Sequence, residues 1–231
     1  MCNVKHTDHL FKKDGISLNY RVYTPEEAVK EPPLLIYLHG AGERGDTPDK
    51  LDHILRHGIP KLLGEGREIP AIVLCPQCPT NAVWDNVVFA AKALIDRIAE
   101  EYHILPDRIL LTGSSMGGYG TFALALANPA FFAAIAPISG GNMSWRASNL
   151  KTTPVFAVHG ERDTLVPPIC SKQMTDAIKA AGGDATLLLL PEHGHNDAID
   201  YAYRHAGVIE WLLPKRRTDF TPVPEFCNEC F

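Results

Sequence analysis

The chain has 231 residues, of which 45% are hydrophobic and 21% are charged, and these proportions exclude a disordered or fibrous protein. This length predicts one domain over residues 1–231, built around a single sizeable core. Twenty-two Lys and Arg against 27 Asp and Glu give a net charge of -5, which offers no basic surface for nucleic acid or an anionic membrane. A polar stretch at 1–19 and the lack of a long apolar run predict a cytoplasmic protein. We expect a small-molecule partner, and a homo-oligomer stays open.

The predicted strands begin with residues 18–23, which alternate apolar and polar side chains as a half-exposed strand does. Residues 34–38 are continuously apolar after two prolines, which is typical of a buried strand. Five later segments are short, apolar and mostly followed by Gly, Pro or polar residues, and they predict buried parallel strands. These segments are 71–74, 109–112, 133–138, 155–158 and 186–190.

Helical patterns separate these strands. Residues 85–102 place apolar side chains on one face, with Asp85 or Asn86 available as the N-cap. Three further helices are predicted at 117–127, 168–181 and 197–213. This alternation predicts an α/β fold with a mostly parallel sheet covered by helices on both faces. The segment 42–67, with a short amphipathic stretch at 51–57, predicts a small insertion over the strand ends.

A Gly-Ser-Ser-Met-Gly pentapeptide at 113–117 lies between a predicted strand and a predicted helix, which is the setting of a nucleophile elbow. The two glycines avoid Cβ collisions with the neighbouring strand or helix, and the helix directs free N–H groups toward the turn. We therefore predict that Ser115 is a nucleophile and that Ser114 is structural. The alternative is a glycine-rich turn with an idle serine.

A serine nucleophile needs a base and an acid that orients it, and both follow at strand ends in the order acid, then histidine. The loop after residues 155–158 supplies Asp163 as the predicted acid, with Glu161 as a nearby competitor. The loop after the last predicted strand supplies two histidines. We predict His195 as the base, because the glycine before it lets its backbone approach the nucleophile, and His193 is the alternative.

Acyl transfer also needs two backbone N–H donors that hold an oxyanion. Met116 follows the nucleophile and is predicted to supply one of them. The second is expected from the glycine-rich loop 39–45, where Ala41 is the first candidate and Gly42 the next.

Four polar side chains near this predicted site are expected to fix loops. Glu43 and Arg44 are adjacent opposite charges on a glycine-rich loop, and such pairs more often fasten the loop itself. His39 and His159 each precede a glycine at a strand end, where imidazoles commonly hold loops by hydrogen bonds. The histidines other than His193 and His195 have no metal-ligand spacing, so zinc chemistry through them is not expected.

With these motifs, Leu-His-Gly-Ala-Gly-Glu-Arg-Gly at 38–45 and Gly-Ser-Ser-Met-Gly-Gly-Tyr-Gly at 113–120, the chain resembles the peptidase/esterase branch of the α/β-hydrolase superfamily. That branch is related to polyhydroxybutyrate depolymerases, feruloyl esterases and the catalytic domain of prolyl oligopeptidases. The likeness includes 136–141, 159–167 and the Gly-His pair at 194–195. It implies the α/β-hydrolase fold and a serine hydrolase without a cofactor.

The resemblance implies a serine esterase that acts on feruloyl, acetyl or short acyl esters through an acyl-enzyme. It places Gln77 and Trp84 beside the active site, where Trp84 would stack on a sugar or an aromatic acyl group and Gly42 would also meet substrate. Trp84 packed beneath the insertion is the alternative. At 196–198 Asn-Asp-Ala replaces the acidic residue and tryptophan of many members. A small serine peptidase and a non-catalytic binding protein with this fold stay open as other functions.

Four of the six cysteines form two C-x-x-C pairs, Cys75 with Cys78 and Cys227 with Cys230, whose thiols could hold a structural zinc. We expect independent reduced thiols instead, because Cys78 belongs to the family-like segment and the second pair lies at the end of the chain. No metal is therefore predicted.

Overall fold

A computed structural model describes residues 5–221, which contain an eight-stranded sheet and six α-helices. The strands are β1 His6–Lys13, β2 Ile16–Tyr23, β3 Leu34–Leu38, β4 Ile72–Gln77, β5 Ile109–Ser114, β6 Ala134–Ile138, β7 Val155–Gly160 and β8 Ala185–Leu190. The helices are α1 Gly58–Gly64, α2 Val88–Glu101, α3 Met116–Ala127, α4 Ile169–Ala180, α5 His195–Arg204 and α6 Val208–Leu212. Short 3-10 helices lie at Ala41–Glu43, Pro48–Arg56, Trp84–Val87, Pro106–Arg108 and Ser144–Leu150.

The strand order is β1-β2-β4-β3-β5-β6-β7-β8, in which β2 runs antiparallel to both of its neighbours. The strands from β3 to β8 are parallel to one another. This arrangement is the α/β-hydrolase fold, and the prediction of a mostly parallel sheet is confirmed. Leu38 pairs with Gly113 at the carboxyl ends of β3 and β5, so the loops that follow these two strands meet at one edge.

Two buried apolar clusters cover the two faces of the sheet. One cluster packs α2, α3 and α4 against the sheet, and the other packs α1, α5 and α6. In β3 the alternate residues Leu34, Ile36 and Leu38 enter the first cluster, while Leu35 and Tyr37 enter the second. Burial on both faces explains why this strand is apolar throughout.

The prediction that 18–23 forms a half-exposed strand is wrong, because β2 is buried on both faces over these residues. Asn19 and Arg21 are only 3% and 6% exposed. The guanidinium of Arg21 is held by Asp8 of β1 at 2.6 Å and by Asp52 of the Pro48–Arg56 helix at 2.8 Å. Paired charges thus cover the polar side of the strand.

Two helices differ from their predicted form. The segment predicted at 85–102 opens with the 3-10 helix Trp84–Val87, and neither Asp85 nor Asn86 is the N-cap of α2, which is Val87. The segment predicted at 197–213 is divided into α5 and α6, because Gly207 adopts the left-handed conformation with φ 70°.

The insertion at 42–67 contains α1 as well as the amphipathic 3-10 helix. The single-domain arrangement of 1–231 stays a prediction.

Within the described range, no helix is both long and apolar enough to cross a lipid bilayer.

Candidate active site

Ser115 occupies a strained turn between β5 and α3, with φ 57° and ψ -120°. Its N–H donates to the Ile138 carbonyl at 2.9 Å, which ties the turn to β6. A Cβ atom at Gly113 would lie 2.6 Å from the Leu38 carbonyl oxygen, and one at Gly117 would lie 1.8 Å from the same atom. Both positions therefore require glycine if the turn is to pack against β3.

The structure joins the three side chains predicted as nucleophile, base and acid. Nε2 of His195 lies 2.8 Å from Oγ of Ser115, and Nδ1 of His195 lies 2.6 Å from Oδ2 of Asp163. His195 is the first residue of α5, and Asp163 lies in the loop after β7. This hydrogen-bond chain has the connectivity that a serine needs to lose its proton to a base. The catalytic roles themselves stay a prediction.

The Asp163 carboxylate is held by its own loop. It is 5% exposed, and its Oδ1 accepts N–H groups from Leu165 at 2.9 Å and Val166 at 2.8 Å. The other oxygen, Oδ2, faces His195 and also lies 3.3 Å from Nε2 of His159. One oxygen is thus fixed by backbone donors while the other orients the imidazole.

Glu161 and His193, the alternatives to Asp163 and His195, lie away from Ser115. Glu161 is exposed, and its N–H donates to Leu190 of β8. The His193 ring lies 4.6 Å from the ring of Tyr201. Among the residues described, neither side chain contacts the nucleophile, so the geometry favours the residues first predicted.

Two backbone N–H groups beside Ser115 are available to an oxyanion. The amides of Ala41 and Met116 have no hydrogen-bond acceptor within residues 5–221. Ala41 and Gly42 line the cavity in front of the nucleophile. A Cβ atom at Gly40 would lie 3.6 Å from Cβ of Ser115, so the loop is adjacent to the serine. This arrangement supports Ala41 and Met116 as oxyanion donors, which remains a prediction.

Side chains of the glycine-rich loop hold its shape. Oε2 of Glu43 accepts the Gly40 N–H at 2.6 Å. Arg44 donates to the carbonyl oxygens of Ala41 at 2.9 Å and Ala82 at 3.2 Å. The prediction that Glu43 and Arg44 fasten the loop is confirmed.

The two loop histidines also have the structural contacts expected of them. His39 is buried, which lowers its pKa to about 4, so the ring is neutral at pH 7. Its Nε2 accepts the Cys78 N–H at 2.9 Å, and its Nδ1 donates to the Gly40 carbonyl at 2.6 Å. His159 lies 2.7 Å from the Ser171 hydroxyl. Ser114, predicted to be structural, is likewise buried and bonded to the Tyr37 hydroxyl at 2.9 Å.

The pKa of the Glu43 carboxyl group is raised, which its position in the sequence did not reveal. Burial raises the pKa of its carboxyl group to about 7, although the Gly40 N–H and the Arg56 charge lower it. Oε1 is buried without a hydrogen-bond partner within residues 5–221. The cavity therefore contains a carboxyl group that titrates near neutral pH.

Two predicted substrate contacts are wrong. Trp84 is fully buried, and its Nε1 donates to the His39 carbonyl at 2.9 Å, so its ring cannot stack on a ligand. Gln77 is also fully buried, and its amide donates to the carbonyl oxygens of Glu43 at 2.9 Å and Lys50 at 2.7 Å. Both side chains support the loops around the site.

A cavity of about 260 Å³ opens in front of Ser115, and Gly42 lines it as predicted for a substrate contact. Arg56, His57 and Leu165 also line it, and the sequence did not single out these three. Arg56 and His57 come from the insertion, which carries no catalytic motif. The amphipathic stretch at 51–57 was the available signal that this segment packs near the strand ends.

The thiols within the described residues do not form a metal site. Cys75 and Cys78 are buried and free, and they pack into the apolar clusters on opposite faces of the sheet. Cys227 and Cys230 lie outside the described residues. Across 5–221 no group of three or more His, Cys, Asp or Glu side chains is arranged to hold a metal ion. One zinc bound by both Cys75 and Cys78 does not fit this burial.

Comparison with known proteins places the chain in a family. A family model described as "Putative esterase" matches residues 15–165, which is more than half of the chain. The chain belongs to this Esterase family. Its membership confirms the predicted esterase/peptidase branch, and it agrees with the predicted enzyme class, a carboxylic ester hydrolase.

Relatives of this Esterase family member include the bifunctional acetylxylan esterase/xylanase XynS20E of Neocallimastix patriciarum, 27% identical over 160 residues that cover 67% of the chain. The crystal structure of a thermostable esterase matches with 29% identity and a TM-score of 0.76, over 92% of the chain and 63% of that protein. A feruloyl esterase module from Clostridium thermocellum shares the fold, with 18% identity and a TM-score of 0.67, over 87% of the chain and 86% of the module. A second curated relative, a putative carboxymethylenebutenolidase of Salmonella typhimurium, is 31% identical over 124 residues that cover 46% of the chain. The chain spans 23% of the length of the first curated relative and 46% of the second.

Proposed function

We propose that this Esterase family member is a serine esterase that hydrolyses carboxylic esters through an acyl-enzyme. The observation that carries the proposal is the hydrogen-bond chain from Ser115 through His195 to Asp163, which ends at an open cavity. A cytoplasmic location, a small-molecule ester as substrate and no nucleic-acid or membrane partner belong to the same proposal, and a homo-oligomer stays open. The net charge of -5 supports the absence of a nucleic-acid partner.

In the proposed reaction Oγ of Ser115 attacks the acyl carbon while Nε2 of His195 takes the hydroxyl proton. Asp163 holds the imidazole in the correct tautomer and stabilises the imidazolium that forms. The Ala41 and Met116 amides bind the oxyanion of the tetrahedral intermediate. His195 then returns the proton to the departing alcohol. A water molecule, activated by the same imidazole, cleaves the acyl-serine and releases the acid.

The size of the cavity bears on the substrate. A volume of about 260 Å³ is small for a ligand site and favours short acyl groups, acetyl among them, over long ones. The name of the relative that is an acetylxylan esterase supports acetyl esters as the first class to test. Feruloyl esters form the second class.

The test is Ser115-dependent hydrolysis of p-nitrophenyl acetate, with labelling by a fluorophosphonate probe. We expect Ser115→Ala to lower kcat by about 10⁴-fold or more and to abolish labelling. Ser114→Ala is the matched control, because it removes the adjacent hydroxyl and should leave the protein labelled. Labelling that persists in Ser115→Ala would contradict the assigned nucleophile.

Two other results would replace the proposal. Faster cleavage of peptide anilides than of the acetate ester would identify a serine peptidase. Neither labelling nor turnover in the folded wild-type protein would identify a binding protein that keeps the hydrolase fold. A screen of acetylated xylan, feruloyl and short acyl esters would then define the acyl preference.

A further inference from the structure

We propose that the cavity selects esters that carry a carboxylate or a similar anionic group, and that Arg56 binds this group. The proposal rests on the esterase function above and specifies the substrate class of the same site. Three observations support it: the position of Arg56, its unused hydrogen-bond donors and the charge balance of the cavity.

Arg56 is the last residue of the 3-10 helix Pro48–Arg56, and its side chain lines the cavity that contains Ser115. One terminal nitrogen, Nη1, donates to the Gly42 carbonyl at 2.7 Å. A Cβ atom at Gly42 would lie 3.7 Å from the same nitrogen. The guanidinium thus lies against the loop that contains Ala41, and a group bound to it would share the cavity with an ester at Ser115.

The guanidinium has donors to spare. It carries five N–H groups in a planar fork, and the bond to the Gly42 carbonyl uses one of them. Within residues 5–221 Arg56 forms no ion pair, whereas Arg67 pairs with Glu210 and Arg204 pairs with Glu65. A planar cation with unused donors on a cavity wall is suited to a carboxylate, which can accept two parallel N–H bonds.

The other titratable groups of the cavity form no ion pair with this cation within the described residues. Glu43 is the carboxyl group of the lining, and burial raises its pKa to about 7 although the Arg56 charge lowers it, so Glu43 is mostly uncharged below that pH and becomes a competing anion above it. His195 is bonded to Asp163, and His57, which lines the cavity, lies 3.6 Å from Asp200, which does not. Below about pH 7 an anionic ligand therefore meets a guanidinium that no ion pair of the described chain neutralises.

The cavity also limits the length of such a substrate. Because Arg56 and Ser115 both line one cavity of about 260 Å³, a substrate that contacts both residues within it must be short. The anion belongs to the acyl part in a monoester of a dicarboxylic acid, and to the alcohol part in an ester of a hydroxy acid. Both share the chemistry that Arg56 recognises, and two substrate pairs distinguish them.

Each pair compares a carboxylate with a carboxamide of the same shape. The acyl pair is the mono-p-nitrophenyl ester of adipic acid and its terminal amide. The alcohol pair is 4-acetoxybenzoate and 4-acetoxybenzamide. The measured quantity is the ratio of kcat/KM for the carboxylate to kcat/KM for the carboxamide, which cancels any general effect of a substitution on the shared chemical step.

The variants are Arg56→Met, Arg56→Lys and, as matched control, Arg67→Met, which removes an equal charge from the same insertion at a residue that does not line the cavity. We expect Arg56→Met to lower the ratio by about tenfold in one pair, because a charge-assisted hydrogen bond to the substrate is lost. Arg56→Lys should retain part of the preference, and Arg67→Met should keep the wild-type ratio. A ratio unchanged in Arg56→Met for both pairs, or an equal fall in Arg67→Met, would overturn the proposal.

A binding measurement separates this proposal from the esterase function itself. Calorimetric titration with adipate, and with adipamide as the neutral control, needs no turnover. We expect wild type to bind adipate more tightly than adipamide, and Arg56→Met to lose about tenfold in adipate affinity. Equal affinities in wild type and Arg56→Met would refute the role of Arg56. Absence of Ser115-dependent turnover alone would refute only the esterase function.

Discussion

At the scale of single residues, the candidate site depends on backbone groups that hold each polar side chain in one orientation. Oδ1 of Asp163 accepts two N–H groups, so any side chain in its place must present an acceptor there. Its second oxygen lies 2.6 Å from Nδ1 of His195, which must then carry the proton. In this tautomer Nε2 is free to accept the proton of Ser115.

Asp163→Asn tests this arrangement. The two backbone N–H donors will hold the amide oxygen of the asparagine, so its NH₂ group will face His195 and force the proton onto Nε2. We expect kcat for p-nitrophenyl acetate to fall by about 10⁴-fold with little change in fold. Glu161→Gln, on the exposed part of the same loop, is the control and should retain wild-type kcat. A comparable loss in Glu161→Gln would point to a general effect of loop charge.

Glu43 predicts how stability depends on pH. Its pKa is about 7 in the folded protein against an ordinary value of 4.5, so the folded state binds more protons between these values than the unfolded state. The stabilisation is complete below pH 4.5 and is lost as pH rises to about 7. The free energy of unfolding should fall by up to about 1.4 kcal/mol per pH unit in this window from Glu43 alone.

Glu43→Gln removes this titration and keeps an oxygen that can accept the Gly40 N–H. Urea unfolding of both proteins at several pH values from 4.5 to 8 provides the measurement, and other groups cancel in the difference between the two curves. The variant should gain stability relative to wild type as pH rises. Parallel curves would show that Glu43 titrates near its ordinary value in the fold.

The sequence predicted which residues contact Ser115 better than which residues line its cavity. His195 and Asp163 follow strands in an order that the chemistry requires, so local context was sufficient to find them. The burial of Trp84 and Gln77 depends on loops that come from distant parts of the chain, and local patterns do not encode it. Arg56 was missed for the same reason, because its segment meets the site only after the insertion folds.

At the scale of elements, apolar runs predicted the parallel strands from β3 to β7, because burial on both faces leaves a continuous hydrophobic pattern. The prediction of a buried strand is wrong for β8, which is the last strand of the sheet, since Thr186 is exposed and residues 187–189 are half-buried. β1 has no continuous hydrophobic pattern. Most of its side chains are exposed, and it is positioned by its register with β2, in which His6 pairs with Tyr23 and Lys13 pairs with Ile16. The break between α5 and α6 was also missed, since the left-handed conformation of Gly207 interrupts a pattern that is apolar on both sides.

The contact between α3 and β3 gives a prediction for one element pair. A methyl group at Gly117 would meet the Leu38 carbonyl oxygen at 1.8 Å, and backbone atoms cannot yield there without moving the helix. We expect Gly117→Ala to lower the free energy of unfolding by more than about 3 kcal/mol, as overpacking against backbone does in severe cases. Urea unfolding followed by circular dichroism measures this change.

Gly64→Ala is the control for that experiment. A Cβ atom at Gly64, the last residue of α1, would meet its nearest neighbour, a methyl carbon of Leu55, at an ordinary 3.8 Å. We expect a change within about 1 kcal/mol. Similar losses in Gly117→Ala and Gly64→Ala would show that the close approach of α3 to β3 is not what restricts position 117.

At the scale of the whole molecule, the two ends of the parallel strands have different roles. We call them the carboxyl edge and the amino edge of the sheet. Ser115, Asp163 and His195 lie where strands end, so their loops share the carboxyl edge. The chain after α6 holds the amino edge instead. Arg217 donates from its backbone to Asp107, just before β5, and from Nη1 to the Phe132 carbonyl, just before β6, at 2.9 Å.

Substitutions of the adjacent residues Arg216 and Arg217 test whether contacts at the amino edge stabilise the fold without affecting the candidate active site. Arg217 is 5% exposed and also donates to Thr152, whereas the Arg216 side chain is 44% exposed and pairs with Asp107 at the surface. We expect Arg217→Met to lower the free energy of unfolding by about 2 to 3 kcal/mol, because the buried Phe132 carbonyl loses a charged donor. Arg216→Met should lower it clearly less, because the ion pairs of Arg216 are exposed to solvent. In both variants kcat/KM for p-nitrophenyl acetate should stay at the wild-type value at temperatures where the protein is folded. Equal losses of stability, or a fall in kcat/KM for Arg217→Met, would show that the two edges of the sheet are not independent.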